Sequence, residues 1–556
     1  MIFRNKNIDN IFTGLVQKTA GLFCVFLFFA LSLKAQNANL FLNRELYNRF
    51  DGLLGAADVN FHTSIKPYQW KEVKAAQNAD SVYKQLAYNG KSPALYALRN
   101  SSVIEYLGPK SNFSLNPYLG FNSGFNLGTN GFFNGSEIGA IAKLQVGEGF
   151  YLNATAIYGK SAFADYVDEM TKKTGVVIGN GFANSKSNKF NYHNYIGYAS
   201  YSPSKYFNFQ LGSDRNFIGE GYRSLLLSDN AKNYPFFKVT TSVWKLKYVN
   251  LFTNFKDVTN TVGDYSKSPN KFATIHYLSW NINKRINLGF FESIVFQNRD
   301  TTKKFGYDIN YLNPIIFFRP VEYAMGSADN ALMGLNYRVK LNNKMQTYGQ
   351  VVIDEFLLSS IKADIKKIIR PNDATILSGW WANKYGFQFG YKWFDVLKVK
   401  NLQFQAEYNY VRPYTYSHGS VLQNYGHFNQ ALAHPLGANF MEGIFFVRYY
   451  LNNVLFELKC SNAVYGEDLT GQNYGRDIFK SYIKRPSDYG NFTAQGLKTN
   501  LSYVDFKINY LINPKSNLTA ELGCNNRYLS SSAQSFNTRY VYLGLRTAIS
   551  NAYFDK

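Results

Sequence analysis

The chain has 556 residues, 17% of them aromatic, and a formal net charge of +23 at pH 7. Its three cysteines are too few for a fold held together by a disulfide framework, and beyond residue 35 no apolar stretch is long enough to cross a bilayer as a helix. For an exported chain, this composition leaves two classes open, a large soluble β-protein or an outer-membrane β-barrel.

Residues 1–35 have the pattern of a secretory signal peptide. Basic residues, among them Arg4, precede an almost wholly apolar run, 21–33, and Ala35 leads into the polar Gln36. The apolar run is shorter than the roughly 20 residues that a membrane-spanning helix needs. We therefore expect 1–35 to be removed and the mature chain to begin near Gln36.

Residues 36–111 are predicted to form a short periplasmic helical segment. In LNRELYNRFDGLL, Leu42, Leu46, Phe50 and Leu53 fall on one face of a helix, and a looser pattern of the same kind runs through 72–88. The segment is too short for the large plug of a metal-siderophore transporter. We expect its helices to cap a barrel from the periplasmic side.

From residue 112 to the C-terminus, apolar and polar side chains alternate in many short stretches. In NLQFQAEYNYV, for example, Phe404 and Tyr408 lie on one face and Gln405 and Glu407 on the other. Counting such stretches gives about eighteen strands, with an apolar face suited to lipid and a polar face suited to water. A soluble β-sandwich can alternate in the same way, so the pattern alone does not separate the two classes.

The connections between these strands separate the classes better. Short turns are predicted near Gly147, Pro203, Asn283, Asn342, Asn452 and Asn513, and long connections at about 161–188, 213–235, 298–327, 356–381, 412–438 and 464–497. Short turns on one rim and long loops on the other are typical of outer-membrane barrels. The sequence therefore predicts an all-β fold, an antiparallel outer-membrane β-barrel of about 18 strands over 112–556.

The C-terminal stretch is predicted to be the closing strand. Val541, Leu543 and Ile549 share one face, and the aromatic residues Tyr553 and Phe554 stand close to the chain end. We expect this strand to complete the barrel.

Two cysteines, Cys460 and Cys524, remain after removal of the signal peptide. They fall on the fifteenth and seventeenth predicted strands, two spacings of about 4.8 Å apart, whereas a disulfide needs Cα atoms within roughly 7 Å. We therefore expect free thiols that face lipid.

The connection 213–235 resembles neither an ordinary strand nor an ordinary helix. Gly219 and Gly221 allow the backbone to turn where side chains would clash, and Leu225, Leu226 and Leu227 predict an anchor in an apolar pocket. A loop with its own small core is either a plug that fills the lumen or a binding platform.

The polar residues of this connection allow the same two interpretations. Arg223, Ser224 and Asp229 are available for contacts with an anionic ligand. Alternatively, Asp354 pairs with Arg215 or Arg223 across the lumen in an interior salt bridge. Both interpretations remain open at this stage.

Enzymatic and metal-binding interpretations are weak. His418, His427 and His434 fall in one predicted loop, but no acidic residue or cysteine stands at a recognised ligand spacing from them. The adjacent Asp354 and Glu355 point to opposite faces of a strand and do not form a carboxylate pair. We expect no catalysis, no cofactor and no metal.

Several long motifs resemble the capsule-assembly Wzi family. They are NFIGEGYRSLLLSDNAKNYPFF from Asn216, NPIIFFRPVEYAMGSADNALMGL from Asn313, VIDEF from Val352 and YTYSHGSVLQNYGHFNQALAHPLGANF from Tyr414. FHTSIKPY, around His62, makes the chain most like the Bacteroidetes branch, the RemB-type gliding motility proteins. The resemblance covers nearly all of the mature chain. It implies an outer-membrane barrel of eighteen strands, lectin-like on its outer face, that helps to hold polysaccharide at the cell surface and supports gliding.

Residues in the loops and near the strand ends are the candidates for glycan contact or for the plug. They are Asp214, Arg215, Arg223, Ser224, Asp229, Tyr234, Arg319, Glu322, Asp354, Trp380, Trp381, Tyr416, His418, Tyr425, His427 and His434.

The charge favours anionic partners and the outer membrane as the location. Removal of the predicted signal peptide, with four basic residues and one aspartate, leaves about +20. Anionic surface polysaccharide or lipopolysaccharide fits this charge, and so do lipid headgroups at the barrel rims; nucleic acid is not expected. Gliding or secretion machinery would be further partners. The alternative function is a passive or selective porin.

Overall fold

The computed structural model of the chain describes residues 38–56, 58–76, 86–186, 189–297, 307–317, 329–355 and 357–556. The predicted signal peptide lies outside the described residues. Among the residues described, no helix is both long enough and apolar enough to cross a bilayer.

Eighteen antiparallel strands of the described chain close into a barrel, as predicted. The strands are β1 (Ser111–Asn126), β2 (Phe132–Val146), β3 (Phe150–Ser161), β4 (Lys189–Tyr201), β5 (Phe207–Asp214), β6 (Tyr234–Val243), β7 (Leu246–Lys256), β8 (Asn270–Asn281), β9 (Ile286–Gln297), β10 (Asn330–Lys340), β11 (Met345–Glu355), β12 (Lys384–Phe394), β13 (Leu402–Val411), β14 (Phe440–Leu451), β15 (Val454–Glu467), β16 (Leu497–Asn513), β17 (Leu518–Ser531) and β18 (Ser535–Thr547). Neighbouring strands pair in sequence order, and β18 pairs with β1, where Leu543 lies opposite Ser123. The pairing leaves no open edge in the wall.

The alternation along each strand separates the lumen from lipid. On β13 the side chains of Gln405, Glu407 and Asn409 are buried inside, whereas Tyr408 points outward and is 40% exposed. On the neighbouring β12, Phe389 also points outward and is 54% exposed. The outer wall is therefore an apolar band that suits the hydrocarbon layer of a membrane.

The long connections lie on one rim, together with the short connections 127–131 and 532–534, and the turns on the opposite rim are short. The predicted short turns are observed, for example at Asn452 between β14 and β15, and the long connections lie where the sequence placed them. One further loop, 257–269 between β7 and β8, was not predicted because it is shorter than the others. By the usual rule for such barrels, the short turns face the periplasm and the long loops face outward.

Part of one long connection lies against the outer wall rather than above it. The Tyr248 hydroxyl donates to the Pro314 carbonyl at 2.5 Å, and the Tyr311 ring stacks on Phe296 with centroids 4.4 Å apart. Residues 307–317 therefore cover part of β7 to β9 on the side that faces lipid elsewhere.

The N-terminal segment is helical and closes the periplasmic end of the lumen. Its helices are α1 (Arg44–Leu54), α2 (Trp70–Ala76) and α3 (Pro93–Asn100). The Asn43 side chain caps α1 by accepting the Leu46 amide at 2.9 Å. The buried face of α1 uses Leu46, Phe50 and Leu54 rather than the predicted Leu53. Of the second predicted helix, residues 77–85 lie outside the described part.

Basic residues of the wall hold this segment in place. The Lys392 ammonium pairs with Asp51 at 2.6 Å, and that of Lys340 donates to the Val59 carbonyl at 2.7 Å, just beyond the C-terminal end of α1. Ile65 then pairs with Ile218 of the lumenal loop. The N-terminal segment thus reaches from the periplasmic rim into the barrel.

The chain end departs from the prediction. β18 ends at Thr547, so Ile549 does not continue its outward face; instead Ile549 packs inside against Tyr118 and Ile141. Residues 548–556 run into the lumen, where Tyr553 is 1% exposed. An apolar side chain fits a lumenal core as well as lipid, which is why the alternation did not reveal this change of direction.

Both remaining cysteines are free, as predicted, and lie on the fifteenth and seventeenth strands. Because Cys460 on β15 and Cys524 on β17 are separated by all of β16, we expect both thiols to be alkylated by a membrane-permeant maleimide without prior reduction. Intact-mass measurement checks this: two adducts are expected. A mass that gains adducts only after reduction would contradict the strand order.

Candidate functional site

The connection between β5 and β6 folds into the lumen and forms the centre of a plug. Leu225, Leu226 and Leu227 are 0% exposed and pack with lumenal residues that include Val352 and Leu432. The predicted apolar anchor is therefore confirmed, and of the two earlier interpretations this loop is the plug. Its core is shared with the connection 412–439, which folds into the same space.

Glycine is required where this loop meets the wall. Gly219 has φ +153°, and a Cβ there would lie 2.7 Å from the Gln350 side-chain nitrogen. A Cβ at Gly221 would lie 2.2 Å from a carboxylate oxygen of Glu407. That carboxylate accepts the backbone amides of Tyr222 and Arg223 at 2.7 and 3.0 Å. The absence of side chains lets the wall hold the loop by its backbone.

Arg223 is the central charge of the plug, and its side chain is 0% exposed. The guanidinium donates to Glu442 at 2.8 Å and to Asp555 of the C-terminal tail at 3.1 Å. Asp555 also accepts from Lys459 at 3.2 Å, and the His434 ring lies 2.6 Å from Glu442. One buried cation thus connects a loop, a wall strand and the chain end.

The pKa values of the groups outside the wall reflect this mutual pairing. Burial alone would lower the pKa of Arg223, but Asp555 and Glu442 outweigh it and raise that pKa well above its ordinary value. Burial would likewise raise the pKa of Asp555, yet Arg223 and Lys459 hold it well below its usual range. Burial lowers the pKa of His434 despite the adjacent Glu442. Arg223 and Asp555 therefore remain an ion pair at neutral pH.

Asp229 holds the C-terminal tail from the other side. Its carboxylate accepts the Tyr553 hydroxyl at 2.5 Å and the Asn551 side-chain amide at 2.7 Å. Ser224 acts within the loop instead, because its hydroxyl donates to the Ile218 carbonyl at 2.5 Å. These two candidates are therefore part of the plug's internal hydrogen bonding.

The predicted pairing of Asp354 with Arg215 or Arg223 is wrong. Asp354 pairs with Lys384 at 2.9 Å and accepts the Tyr416 amide at 2.8 Å. Arg215 donates instead to backbone carbonyls, among them that of Asn551 at 3.1 Å. Lys384 on the adjoining strand β12 neutralises Asp354, and Arg223 pairs with Glu442 and Asp555 instead.

Several aromatic and imidazole candidates are buried and do not reach an external ligand. Tyr416 stacks on Tyr425 with centroids 6.0 Å apart, and Tyr234 lies edge-on to His427 at 5.9 Å. Burial lowers the pKa of His427 well below its ordinary value, so this ring stays neutral. Their surroundings make them part of the plug core rather than of a sugar-binding surface.

The remaining candidates are dispersed. His418 lies at the edge of the 412–439 connection, 5.8 Å from the Tyr482 ring, and Asp214 ends β5, where it accepts the Arg215 amide at 2.7 Å. Arg319 and Glu322 lie outside the described residues. In the parts of the chain that are described, no three His, Cys, Asp or Glu side chains are grouped to hold a metal ion.

A cavity of about 340 Å³ remains beside the tail. It extends from Tyr166, on helix α4 (Asp165–Thr174) of the 162–188 loop, to Glu45 of α1. At the periplasmic end Glu45 pairs with Lys507 at 2.6 Å and with Arg546 at 2.8 Å. These ion pairs lie at the periplasmic end of the cavity, where they attach α1 to the wall strands β16 and β18.

On the extracellular side, loops 356–383 and 468–496 bring four aromatic side chains together. We call Trp380, Trp381, Tyr482 and Tyr489 the aromatic shelf. Trp380 lies 5.0 Å from Tyr489 and Trp381 4.7 Å from Tyr482, between ring centroids. Tyr489 is 40% exposed and both tryptophans are half-buried. The shelf is therefore a partly exposed cluster of aromatic rings on the extracellular loops.

Arginines support the shelf. Arg485 lies 4.0 Å above the Trp381 ring and pairs with Asp488, and Arg412 donates to the Asn491 carbonyl at 3.0 Å. The sequence had indicated the two tryptophans but neither Tyr482 nor Tyr489. The stretch SYIKRPSDYGNF is rich in aromatic and basic residues and could have marked this loop as a candidate. The sequence around it, however, does not show that it contacts the loop that carries Trp380 and Trp381.

The described structure resembles solved outer-membrane barrels. Wzi of Escherichia coli, a carbohydrate-binding outer-membrane β-barrel involved in group 1 capsule assembly, aligns with TM-score 0.54 at 11% identity over 92% of this chain and all of Wzi. OpdK of Pseudomonas aeruginosa, solved with vanillate, aligns with TM-score 0.44 at 9% identity over 79% of this chain and 98% of its own. OccAB2 of Acinetobacter baumannii aligns with TM-score 0.41 at 10% identity over 78% and 96%.

No family model matches the chain, and no curated protein matches it. At such low identity, the likeness to Wzi establishes the fold alone. Together with the closed barrel and its apolar band, it identifies the chain as an outer-membrane β-barrel.

Replacing Arg223 by methionine should release the plug. The change leaves Glu442 and Asp555 buried without their main cation, which costs about 3–5 kcal/mol for a buried pair. We expect a lower unfolding temperature and new conductance in planar bilayers. Lys515→Met is the matched control, because its pair with Glu105 is exposed and is worth about 1 kcal/mol at most. An Arg223→Met barrel as stable and as closed as the control would contradict this role.

Proposed function

We propose that the protein is a non-enzymatic scaffold that binds acidic polysaccharide outside the cell through the aromatic shelf. The observation that carries the proposal is the pairing of Trp380 with Tyr489 and of Trp381 with Tyr482 on the extracellular loops. Sugar rings have apolar C–H faces that pack on aromatic rings, and such rings with a polar edge suit a partly wet surface.

Charge next to the shelf favours an acidic polymer. Lys484 is exposed beside Ile483, and Arg485 stands over Trp381. Guanidinium and ammonium groups form strong hydrogen bonds with carboxylates and phosphates, and the chain without its predicted signal peptide carries about +20. A polysaccharide with uronic acid or phosphate groups would meet both the ring faces and the cations.

The plug supports binding rather than transport. A general porin of this size has a water-filled lumen, whereas here Leu225, Arg223 and Asp555 occupy it and α1 closes its periplasmic end. The porin alternative has no comparable supporting feature.

A role in capsule or exopolysaccharide assembly, and in gliding, is the finer form of the same proposal. It rests on the resemblance of the loop motifs to the Wzi family and its gliding branch. In that case the shelf holds a polysaccharide that the cells deposit on the substrate over which they glide. Loss of spreading on agar by a strain carrying shelf variants, with normal amounts of the barrel, would support it.

Replacing Trp380 by alanine should weaken retention of the protein on acidic polysaccharide two- to tenfold, because one aromatic contact contributes about 0.5–1.5 kcal/mol. Retention should also fall with added salt, since Lys484 beside the shelf is exposed. Affinity electrophoresis in gels with and without the polymer measures both effects.

Trp244→Ala is the matched control. Trp244 is 80% exposed but lies in the short turn between β6 and β7, on the opposite rim, so its loss should not affect retention. Equal retention by both variants and by the unaltered protein would reject the shelf as the binding surface.

A further inference from the structure

Helix α5 (Leu358–Ile369) follows directly on β11 and has no buried residue. Its apolar side chains recur at helical spacing and are largely exposed: Leu358 at 57%, Ile365 at 52%, Ile368 at 80% and Ile369 at 72%. Such a continuous exposed apolar face on a soluble loop is unusual and marks a contact surface.

The basic residues of the helix border this face. Lys362, Lys366 and Arg370 stand four residues apart, so they line one flank of the apolar stripe. All three are exposed. A helix with one apolar face and a basic flank has the pattern of helices that lie in a membrane interface.

The opposite flank attaches the helix to the barrel. The Asp364 carboxylate accepts the Gly379 amide at 2.7 Å and lies 3.9 Å from the Arg412 guanidinium. These contacts direct Asp364 towards the end of the same loop, next to Trp380. The isoleucine face and the basic flank are left facing away from these contacts.

The position of the helix joins its apolar face to the lipid-facing band. β11 ends at Glu355, four residues beyond the outward-facing Val351, which is 40% exposed. At about 3.3 Å per residue, Glu355 lies roughly 13 Å along the strand from Val351, which a strand tilt of about 40° reduces to about 10 Å of height. The helix begins three residues later, at Leu358. On the adjacent β12, Phe387 and Phe389 continue the exposed band. The helix therefore starts near the level where hydrocarbon gives way to headgroups.

We propose that α5 lies in the outer leaflet, with its isoleucines among the acyl chains and its basic flank paired with phosphate groups of a phosphorylated glycolipid. Continuity with the apolar band and complementary charge identify this occupant. Cations near a negatively charged membrane surface are attracted to it. Through Asp364 and Gly379, this contact would also set the height of the aromatic shelf above the membrane.

The test uses the full-length barrel with Cys460→Ala and Cys524→Ala and a single introduced cysteine, Ile368→Cys, labelled with a polarity-sensitive fluorophore. Vesicles contain phosphatidylcholine with phosphorylated lipid A, with dephosphorylated lipid A, or with phosphatidylglycerol. The expected result is a shift of emission to shorter wavelength and strong quenching by acyl-chain quenchers with phosphorylated lipid A only. The label at Ile483→Cys, a position 69% exposed on another loop, should show neither change.

Charge variants separate the phosphate contact from simple apolar insertion. Lys362→Gln, Lys366→Gln and Arg370→Gln together should abolish the shift. The matched control, Lys172→Gln, Lys173→Gln and Lys186→Gln, removes three exposed cations from the 162–188 loop and should retain it.

Three results would overturn the proposal. An equal shift with dephosphorylated lipid A or with phosphatidylglycerol would reject phosphorylated glycolipid as the partner. A shift that disappears when the protein is diluted in the same lipid would indicate a second copy of the chain on this face. No shift under any condition would show that the helix stays in water.

Discussion

The fold depends on how an eighteen-strand barrel fills its own lumen. A barrel of this size would otherwise enclose water. In this protein the lumen is filled by elements that Arg223 connects. Its buried guanidinium pairs with Glu442 on the wall and with Asp555 at the chain end. An unpaired charge in this position would be costly, so loop, wall and tail must assemble together. The apolar core around Leu226 then packs on the elements that this pairing brings together.

This constraint has consequences on both rims. On the periplasmic side, the pairs that Glu45 forms with Lys507 and Arg546 hold α1 across the opening. On the extracellular side, the connections after β5 and β13 fill the lumen, and residues 176–179 of the 162–188 loop pack on them. Loops 356–383 and 468–496 carry residues that remain available outside. The aromatic shelf forms where these two loops meet. A filled lumen thus gives a fixed base for a surface site and fits a protein that binds without transporting.

Much of the wall could be predicted from the sequence because each strand lies between two different solvents. Period-two alternation located the strands, the short turns and even the strand numbers of Cys460 and Cys524. The leucine triplet at 225–227 likewise predicted burial, because three adjacent apolar side chains are unfavourable at a solvent-exposed surface.

The remaining features depend on contacts between distant parts of the chain. Glu442 and Asp555 lie 219 and 332 residues from Arg223, and no local pattern marks them as its partners. The tail beyond Thr547 continues the apolar alternation of β18 yet enters the lumen, because lipid and a lumenal core select the same side chains. Trp380 was recognisable as an aromatic candidate, whereas Tyr489 was not, because only the fold brings these two distant loops together.

The central claim is that this barrel is a closed binding scaffold, and a planar-bilayer recording of the unaltered protein tests it most directly. The account predicts no steady conductance after insertion, at either polarity of applied voltage, because the plug and α1 obstruct the lumen. Steady conductance on the order of a general porin, in protein shown to be folded by its heat-modified migration, would contradict it.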